Sequence, residues 1–578
     1  MRLKAQDILK TENHRFLSQI SRDESGSMTV FGLLVFFMIL IIGGLAVDVM
    51  HSEMRRTRLQ DTLDRAILSA SSLTQDLAPE EVVRDYFEVS GLENHLGDIS
   101  VDAGLGYKSV AATASASVNT HFMRLVGVDS LSYAAASGGE ERIGGVEISM
   151  VLDVSGSMNS NNRLGNLKVA AKEFIDTLTD TTEPGNLSFS IVPYATQVSA
   201  PPELVAQMNV SNEHNYSNCV NFDSGDFRTS GIDFNSTLDR TMHFYPWGST
   251  DKRTHSVPQP FSTSEYAICP PSSDNSRKIQ VLQNDATALK AFIDSMTARG
   301  NTSIDLGMKW GTALLDPTMQ GAVSDLIDDD FIPDDFDGRP YGYDEGETIK
   351  VIVLMTDGQN TSQYYVNQNK RVGASGVWFN PSDNRYSVNT GPDIYDRDRD
   401  GDRDEDIYFW VHNQQWHDQA YGDGSYETTQ TVRRCVRWRR NGSCRRYRNV
   451  QETVTVQGGD AVSLSYGDLF AFTSMYRNAG SNFGPWMGRS AALNEWYYGA
   501  YSYVGSGTKN TRTQDICNAA KAQGIVVYTI GFEAPSSGQT VIRNCASSDS
   551  HYFDVRGLQI RDAFSSIAAS IRQLRLTL

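Results

Sequence analysis

One uninterrupted apolar run, TVFGLLVFFMILIIGGLAV from Thr29 to Val47, sets the first limit on how this chain can fold. At about 1.5 Å rise per helical residue, a run of this length just crosses a hydrocarbon core of about 30 Å. The alternative is a cleaved secretory signal, but its apolar region would be shorter and followed by an A-x-A-like site, and none follows Val47. The sequence therefore predicts an uncleaved transmembrane anchor over residues 28–48, preceded by a cytoplasmic segment over residues 1–27.

Basic residues flank this run on both sides, so the positive-inside rule does not orient it. The six cysteines are more informative, because all lie C-terminal to the run and no two have C-x-x-C spacing. An even number of dispersed cysteines is typical of an oxidising compartment, with buried free thiols in a cytosolic domain as the alternative. We therefore expect the large C-terminal part outside the cytoplasm. A net charge of −19 argues against nucleic acid as a general partner.

At 578 residues the chain is too long for one hydrophobic core. Three apolar segments have the pattern of strands buried on both faces: VEISMVLD ending at Asp153, IKVIVLMTD ending at Asp357, and GIVVYTIGF ending at Phe532. Helical stretches separate these segments, and the alternation predicts a doubly wound, Rossmann-like α/β sheet. The ligand crevice of such a sheet lies beyond the carboxyl ends of its strands, where Asp153 and Asp357 are expected.

Asp153, Ser155 and Ser157 alternate in VLDVSGSM, directly after the first of these strands. Alternating side chains can aim carboxylate and hydroxyl oxygens at one point, and such hard ligands suit Mg²⁺ or Mn²⁺. The alternative is a polar turn that caps the next helix. In its strand context, D-x-S-x-S resembles the metal-ion-dependent adhesion site of von Willebrand factor A domains. The resemblance implies that Thr302, in RGNTSID, and Asp357, in LMTDGQN, complete the site, and that a protein partner offers an Asp or Glu carboxylate to the ion.

The segment after the anchor, VDVMHSEMRRTRLQDTLDRAILSAS, predicts that the anchor continues as an amphipathic helix. Its apolar residues at helical spacing are Leu59, Leu63, Ile67 and Leu68. Residues 98–118 have the pattern of short alternating strands. This layout resembles the N-terminal part of the TadE/TadG-like proteins of tight-adherence (Flp) pilus systems, with a pilin-like α+β region over residues 49–140. A plain anchor and spacer is the alternative.

Pilin-type processing in those systems needs a Gly followed five residues later by Glu. Gly26 is followed at that place by Phe31, so permanent anchoring is favoured. The resemblance places the protein in a bacterial inner membrane as a single-pass protein, with the C-terminal domain periplasmic. The cell surface or the pilus itself is the alternative location.

Segments near the C-terminus, including DICNAAKAQGIVVYTIGF and VIRNCASS, resemble the TadG-type relatives and imply a disulfide between Cys517 and Cys545. A von Willebrand A domain is thus expected over residues 146–578. Insertions are expected at about 200–282, 321–347 and 362–509. The first insertion is rich in Asn, Ser and Pro, and it contains Cys219 and Cys269, which we expect to form a bridge of their own.

An aspartate-rich segment, DRDRDGDRDED, lies in the third insertion. Its alternating carboxylates and central glycine have the pattern of a calcium loop, and the segment resembles those found between strands in extracellular proteins. The candidate ligands are Asp396, Asp398, Asp400, Asp402 and Asp404. It is not an EF-hand, because Ile407 stands where the bidentate Glu would be. The alternative is a solvated run in which Arg and Asp neutralise each other.

Two more features of the third insertion have open interpretations. RRCVRWRRNGSCRRYR, Arg433 to Arg448, has eight arginines around an Asn-Gly hairpin signal. A two-residue turn there would place Cys444 opposite Arg439, so a bridge between Cys435 and Cys444 would need a wider loop. We expect these arginines to bind the aspartate runs of the chain itself, with an anionic envelope polymer or nucleic acid as alternatives. NEWYYGAYSYVGSG, residues 494–507, suits either a contact surface or a packed loop.

The sequence contains no P-loop, no G-x-S-x-G elbow and no H-E-x-x-H, so we expect no enzymatic activity. It predicts a membrane-anchored component of Flp/Tad-type pilus assembly or adhesion. This protein would bind a partner through Mg²⁺ or Mn²⁺, with Ca²⁺ in the aspartate loop. Pilus assembly components or pseudopilins are the expected partners, and no nucleic acid is expected. An envelope scaffold or sensor unrelated to pili, with the same metal-dependent domain, is the alternative.

Overall fold

The computed structural model describes residues 27–575, except for residues 73, 74, 76, 105, 106, 143, 144, 181, 183, 184, 249–266, 344–347, 383, 400, 441 and 458. The chain divides into two units, Met1–Ile143 and Gly144–Leu578. The predicted cytoplasmic segment lies outside the described residues, apart from its last residue.

The first unit begins with a long helix and ends in a small antiparallel sheet. Its elements are α1 Ser27–Ala70, α2 Pro79–Val89, β1 Leu96–Gly104, β2 Tyr107–Asn119 and β3 Ser130–Arg142. The strands pair in the order β1-β2-β3. The N-terminal half of α1 is long and apolar enough to cross a membrane, and its large apolar side chains are exposed. An apolar surface around the whole circumference of a helix of this length is unfavourable in water. This half of the helix therefore needs an apolar environment.

The C-terminal half of α1 packs into the core of the first unit. Leu59, Leu63 and Ile67 are buried there together with side chains of α2 and β2. The prediction for Leu68 was wrong, because its side chain is 70% exposed. A residue directly after Ile67 is turned by about 100° around the helix, which carries Leu68 off the buried face. Near the end of the apolar stretch, the Asp48 carboxylate accepts hydrogen bonds from backbone N–H groups, including that of Met123 at 2.7 Å.

The second unit begins with alternating strands and helices. Its elements as far as the second predicted strand are β4 Val146–Asp153, α3 Arg163–Thr179, β5 Leu187–Tyr194, α4 Pro202–Ala206, β6 Gln280–Gln283, α5 Ala286–Ser295, α6 Ile304–Ala313, α7 Gln320–Asp328 and β7 Ile349–Thr356. The third predicted insertion follows, with β8 Gln363–Val366, β9 Ala374–Asn380, β10 Arg385–Pro392, β11 Asp406–Trp410, β12 Gln415–His417, β13 Ser425–Trp438, β14 Cys444–Gln457, β15 Val462–Ser465, α8 Tyr466–Phe472, α9 Met475–Arg477, α10 Gly484–Met487, α11 Arg489–Leu493 and β16 Tyr501–Val504. The chain closes with α12 Ser506–Ala522, β17 Val526–Phe532, α13 Ser536–Cys545, β18 Tyr552–Val555 and α14 Gln559–Arg575.

A six-stranded sheet in the order β18-β17-β7-β4-β5-β6 forms the centre of the second unit. Its first five strands run parallel, and β6 is antiparallel to β5. Helices α6, α12 and α13 pack on one face of the sheet, and α3, α5 and α14 pack on the other. Both faces are therefore covered, and every residue of β4, β5 and β7 is buried. The predicted doubly wound α/β sheet is confirmed.

The third insertion forms a sheet of its own and shares a core with Met242, Phe244 and Ile268 of the first insertion. The sheet has the order β12-β11-β10-β9-β15, and all its pairs are antiparallel. Strands β13 and β14 form a separate two-stranded ribbon. The aromatic segment at residues 494–507 takes both roles left open by the sequence: Trp496 and Tyr497 are buried in the core of the insertion, and Tyr498 and Tyr503 are exposed.

Three disulfides are present: Cys219–Cys269, Cys435–Cys444 and Cys517–Cys545. The hairpin that carries the Cys435–Cys444 bridge has the wider of the two predicted loops. The last pair of its ladder joins Trp438 to Cys444. Register shifts on either side of Arg437 bring Cys435 within reach of Cys444, which a regular ladder would not do.

Replacing Cys517 and Cys545 together by Ser should lower the free energy of unfolding of the second unit by roughly 3 kcal/mol. Both cysteines are buried in the core beside the sheet, and their bridge closes a loop with a sequence separation of 28. Chemical denaturation followed by tryptophan fluorescence, without reductant, measures the change. The matched control replaces Cys435 and Cys444, whose bridge joins two strands of the separate ribbon. This control should leave the main transition in place, and an equal loss from both double variants would contradict the prediction.

Candidate metal-binding site

The predicted site residues lie where the winding of the sheet changes direction. From β4 the chain proceeds to β5 and β6 on one side, and from β7 it proceeds to β17 and β18 on the other. Strands β4 and β7 are neighbours, and Leu152 pairs with Met355 one residue before Asp153. Asp357 follows the last residue of β7. A crevice forms at such a point because the loops from the two strands lead away in opposite directions.

Four of the predicted ligands form one continuous chain of hydrogen bonds. Asp153 is buried, and its Oδ1 accepts the backbone N–H of Ser155 at 2.8 Å. The hydroxyls of Ser155 and Ser157 lie 3.0 Å apart. Ser157 Oγ then donates to Asp357 Oδ1 at 2.7 Å. The second oxygen of Asp153, Oδ2, accepts from the Thr356 hydroxyl at 2.7 Å.

Thr302, the fifth predicted ligand, reaches the same place from the loop before α6. A Cβ atom at Gly358 would lie 3.6 Å from Thr302 Oγ1 and 3.9 Å from Ser157 Oγ, so both hydroxyls face one point. The Thr302 backbone is fixed by a two-way contact: its N–H donates to Thr361 Oγ1 at 2.9 Å, and its carbonyl accepts the Thr361 N–H at 3.0 Å. The structure thus brings all five predicted residues together.

The backbone around this point is closely packed. The Gly156 N–H donates to the Gly300 carbonyl at 2.9 Å, which joins the first loop to the one that carries Thr302. A Cβ atom at Gly156 would lie 3.2 Å from that carbonyl oxygen, closer than a side chain tolerates without movement. Glycine at this position therefore lets the two loops meet.

The donor set fits a small divalent cation. Burial raises the pKa of Asp153, and the nearby Asp357 carboxylate raises it further, to about 7. Two carboxylates and three hydroxyls, all hard oxygen ligands, converge on a place where negative charge is poorly solvated. A divalent cation would offset that cost. Asp153, Ser155, Ser157, Thr302 and Asp357 are the residues that would hold it.

Two charged residues of the site were missed in the sequence. Arg163, at the start of α3, donates from Nη1 to Asp357 Oδ2 at 2.8 Å and from Nε to Glu533 Oε2 at 2.9 Å. Glu533 also accepts from Asn161 Nδ2 at 3.3 Å. Glu533 follows Phe532, the end of the third predicted strand, so the rule that selected Asp153 and Asp357 would have selected it too. Asn161 and Glu533 both have positive φ, a conformation that asparagine adopts readily and that is costly for glutamate.

A third missed residue, Lys509 of α12, is fully buried behind the loops. Its ammonium donates to the carbonyl oxygens of Thr302 and Thr361, each at 2.9 Å, and to Ser303 Oγ at 2.5 Å. Asp305 Oδ1 lies 3.7 Å from Lys509 Nζ. Burial lowers the pKa of Lys509 to about 8 and raises that of Asp305. No pattern in the sequence indicates this contact, because Lys509 lies at the far end of the third insertion.

The predicted calcium ligands lie apart from this site, in the loop between β10 and β11. Asp396 Oδ1 accepts the Gly401 N–H, and Asp402 Oδ1 accepts the Asp404 N–H, each at 3.0 Å. Asp400 lies outside the described residues. Within the part of the chain that the structure describes, no three His, Cys, Asp or Glu side chains are grouped closely enough to share an ion. Calcium binding at this loop therefore stays a prediction.

Asp153→Asn should make the protein more stable than wild type in EDTA above about pH 7, by roughly 2–4 kcal/mol. The raised pKa means that folded Asp153 holds its proton where the unfolded residue has lost it. Wild type therefore loses stability as the pH rises from about 4 to about 7, whereas an amide has no charge to bury. Thermal unfolding across this pH range, compared between the two proteins, measures the effect.

Asp328→Asn, at the exposed end of α7, is the matched control. The melting temperature of this variant should change with pH as that of wild type does. Adding Mg²⁺ at high pH should stabilise wild type and leave Asp153→Asn nearly unchanged. If the melting temperatures of wild type and Asp153→Asn change with pH in the same way in EDTA, burial of the Asp153 charge does not destabilise the protein and the prediction is wrong.

The comparison with known protein families matches residues 26–72 to the Tad family model, described as "Putative Flp pilus-assembly TadE/G-like". The comparison with curated proteins gives no match. Among solved structures, the chain is similar to the vWF domain of the type V pili tip protein Mfa5 from Porphyromonas gingivalis, at 12% identity over 75% of this chain and 96% of that one, with a TM-score of 0.29. It is also similar to the adhesive tip pilin GBS104 from Group B Streptococcus agalactiae, at 13% identity over 74% of this chain and 100% of that one, with a TM-score of 0.27.

A third similar structure is the pilus adhesin SpaC from Lactobacillus rhamnosus GG, at 11% identity over 83% of this chain, with a TM-score of 0.27. The present chain spans 34% of the length of that adhesin. Similarity at these TM-scores supports no inference about ligand or activity, and the doubly wound sheet is established by the strand order itself. The predicted TadE/TadG-like resemblance of the segment around the apolar helix is confirmed by the match over residues 26–72.

Proposed function

We propose that this protein is a membrane-anchored component of Flp-type pilus assembly or adhesion, and that its sheet domain binds a protein partner through a divalent cation. One observation carries the second part: Asp153, Ser155, Ser157 and Asp357 form a single chain of hydrogen bonds at the switch point of the sheet, with the Thr302 hydroxyl beside it. Oxygen donors from three separate loops meet there, and Mg²⁺ and Mn²⁺ prefer such hard oxygen ligands.

The pilus context is supported by the first unit. Residues 26–72 match the TadE/G-like pilus-assembly model, and the same segment holds the apolar half of α1. We propose that the anchor stays uncleaved in a bacterial inner membrane and that the second unit lies in the periplasm. Three disulfides support this side of the membrane, because such bridges persist in oxidising compartments.

Binding without turnover is the chemistry that we propose for the site. When bound, the cation would supply a Lewis-acidic centre for a carboxylate oxygen of the partner. The hydroxyl of Ser157 donates to one oxygen of Asp357 and Arg163 donates to the other, so the orientation of this carboxylate is fixed. These contacts hold the side chains in place for a ligand, and they do not prepare a nucleophile for attack.

Asp153→Ala should reduce Mg²⁺-dependent capture of pilus assembly components by at least about tenfold, because it removes a charged ligand of the cation. The full chain in detergent would be incubated with envelope extract in Mg²⁺ or in EDTA, and the captured pseudopilins and assembly proteins would be quantified. Asp328→Ala, which removes an exposed aspartate of α7, is the control and should behave as wild type. Capture that is equal in Mg²⁺ and in EDTA would contradict a metal-centred mechanism.

Localisation of the second unit on cells with and without the neighbouring pilus machinery separates the two predicted roles. A pilus component should lose its localisation when the machinery is absent. An envelope scaffold or sensor should keep it.

A further inference from the structure

The ribbon formed by β13 and β14, residues 425–457, has a charge distribution that the sheet domain does not explain. We call it the arginine ribbon. It has eight arginines, two glutamates and no lysine, in a chain whose net charge is −19. The two strands pair with each other as a separate sheet, and the Cys435–Cys444 disulfide joins them near the turn.

The register of the arginine ribbon places like charges directly opposite each other. Arg434 pairs with Arg448, and Arg437 pairs with Arg446. Side chains of directly opposite residues lie on the same face within about 5 Å at Cβ, and like charges there destabilise a hairpin. Glu452 forms an ion pair with Arg434, but the excess of positive charge is large. A multivalent anion bound along this surface would remove that repulsion.

Exposed apolar side chains lie on the arginine ribbon as well, with Tyr447 and Trp438 on the face opposite to Arg437 and Arg446. Trp438 is 67% exposed, and Val436 and Tyr447 are each 50% exposed. The guanidinium of Arg433 lies over the Tyr447 ring, 4.4 Å from its centroid. Segments that lie at the boundary between lipid headgroups and acyl chains are rich in tryptophan and tyrosine beside basic residues.

We propose that the arginine ribbon binds the phosphates of an anionic phospholipid surface. Arginine supplies a planar fork that matches two phosphate oxygens, which explains the use of arginine without lysine. The exposed Val436 and Trp438 enter the interface between headgroups and acyl chains, a contact that a hydrated glycan would not offer. The disulfide holds the strands in register, so little conformational entropy is lost on binding.

Lipid is favoured over nucleic acid by the rest of the chain. The apolar half of α1 is suited to a membrane, so a chain held there meets headgroup phosphates at a high effective concentration. A nucleic acid would have to approach from solution against a net charge of −19. The proposal does not depend on the metal site.

The test uses the full chain inserted in nanodiscs of phosphatidylcholine, so that α1 is already occupied by neutral lipid. These nanodiscs are mixed with vesicles of phosphatidylcholine and phosphatidylglycerol, or of phosphatidylcholine alone, and flotation of the vesicles measures capture. Wild type should bind the anionic vesicles and not the neutral ones. Replacing Arg434, Arg437, Arg446 and Arg448 together by Gln should weaken binding by roughly fivefold for each arginine that contacts the surface.

Two further variants make the test specific. Replacing the same four arginines by Lys keeps the charge and removes the fork, so it should restore only part of the binding. Trp438→Ala should weaken binding to anionic vesicles while its secondary structure, checked by circular dichroism, stays as in wild type. Asp328→Ala, which removes an exposed aspartate of α7, is the control and should bind vesicles as wild type does.

Equal binding of wild type and the four-glutamine variant to anionic vesicles would overturn the proposal. So would equal binding of wild type to neutral and anionic vesicles. A single-stranded oligonucleotide that displaces the nanodiscs from the vesicles at lower concentration than free phosphatidylglycerol headgroup would assign the arginine ribbon to nucleic acid instead.

Discussion

The buried ammonium of Lys509 fixes the loops on which the metal site depends. A cation removed from water needs its donors satisfied, and here two backbone carbonyls and one hydroxyl accept from it, with Asp305 nearby as the counter-charge. The acceptors belong to the two loops that carry Thr302 and Thr361. The backbone of Thr302 is thus held in place by these contacts, which lowers the cost of ordering this loop when a ligand binds.

Pairing of opposite charges continues around the rim of the site. Arg163 contacts Asp357 on one side and Glu533 on the other, so two strand ends are joined by one guanidinium. Removing either partner would leave the other charge partly buried without a counter-charge. Such a variant is expected to be less stable than one in which both charges are replaced. The strained backbone at Glu533 lies within this group of contacts, where several hydrogen bonds hold it.

Local rules predict some parts of this site and not others. Asp153, Ser155 and Ser157 could be predicted because one motif and one strand end contain all the information. Asp357 followed from the rule that parallel strands share a carboxyl edge. Thr302 could be assigned only through the family resemblance, since nothing in its own segment relates it to a strand end. Lys509 could not be predicted at all, because its partners are more than a hundred residues away in sequence.

The same limit applies to the rest of the fold. The alternation of apolar strands and helices was enough to predict the doubly wound sheet, because both of its faces must be covered. The ladder of the arginine ribbon was not predictable in detail, since two local register shifts decide which residues face each other. The prediction for Leu68 was wrong for a simpler reason. Consecutive side chains of a helix point in different directions, so the apolar pattern alone does not say whether Ile67 or Leu68 is buried.

The third insertion leaves the sheet domain after Thr361 and returns at α12. Hydrogen bonds from Lys509 Nζ to the Thr361 carbonyl and from Asn360 Nδ2 to Asn510 Oδ1 join the two points. A segment whose ends lie side by side can be exchanged for another without moving the chain on either side. The insertion has a sheet of its own, but Met242, Phe244 and Ile268 of the first insertion are buried in the same core. The two insertions therefore form one packed body, and exchanging the third insertion would expose the part of the shared core that the first one supplies.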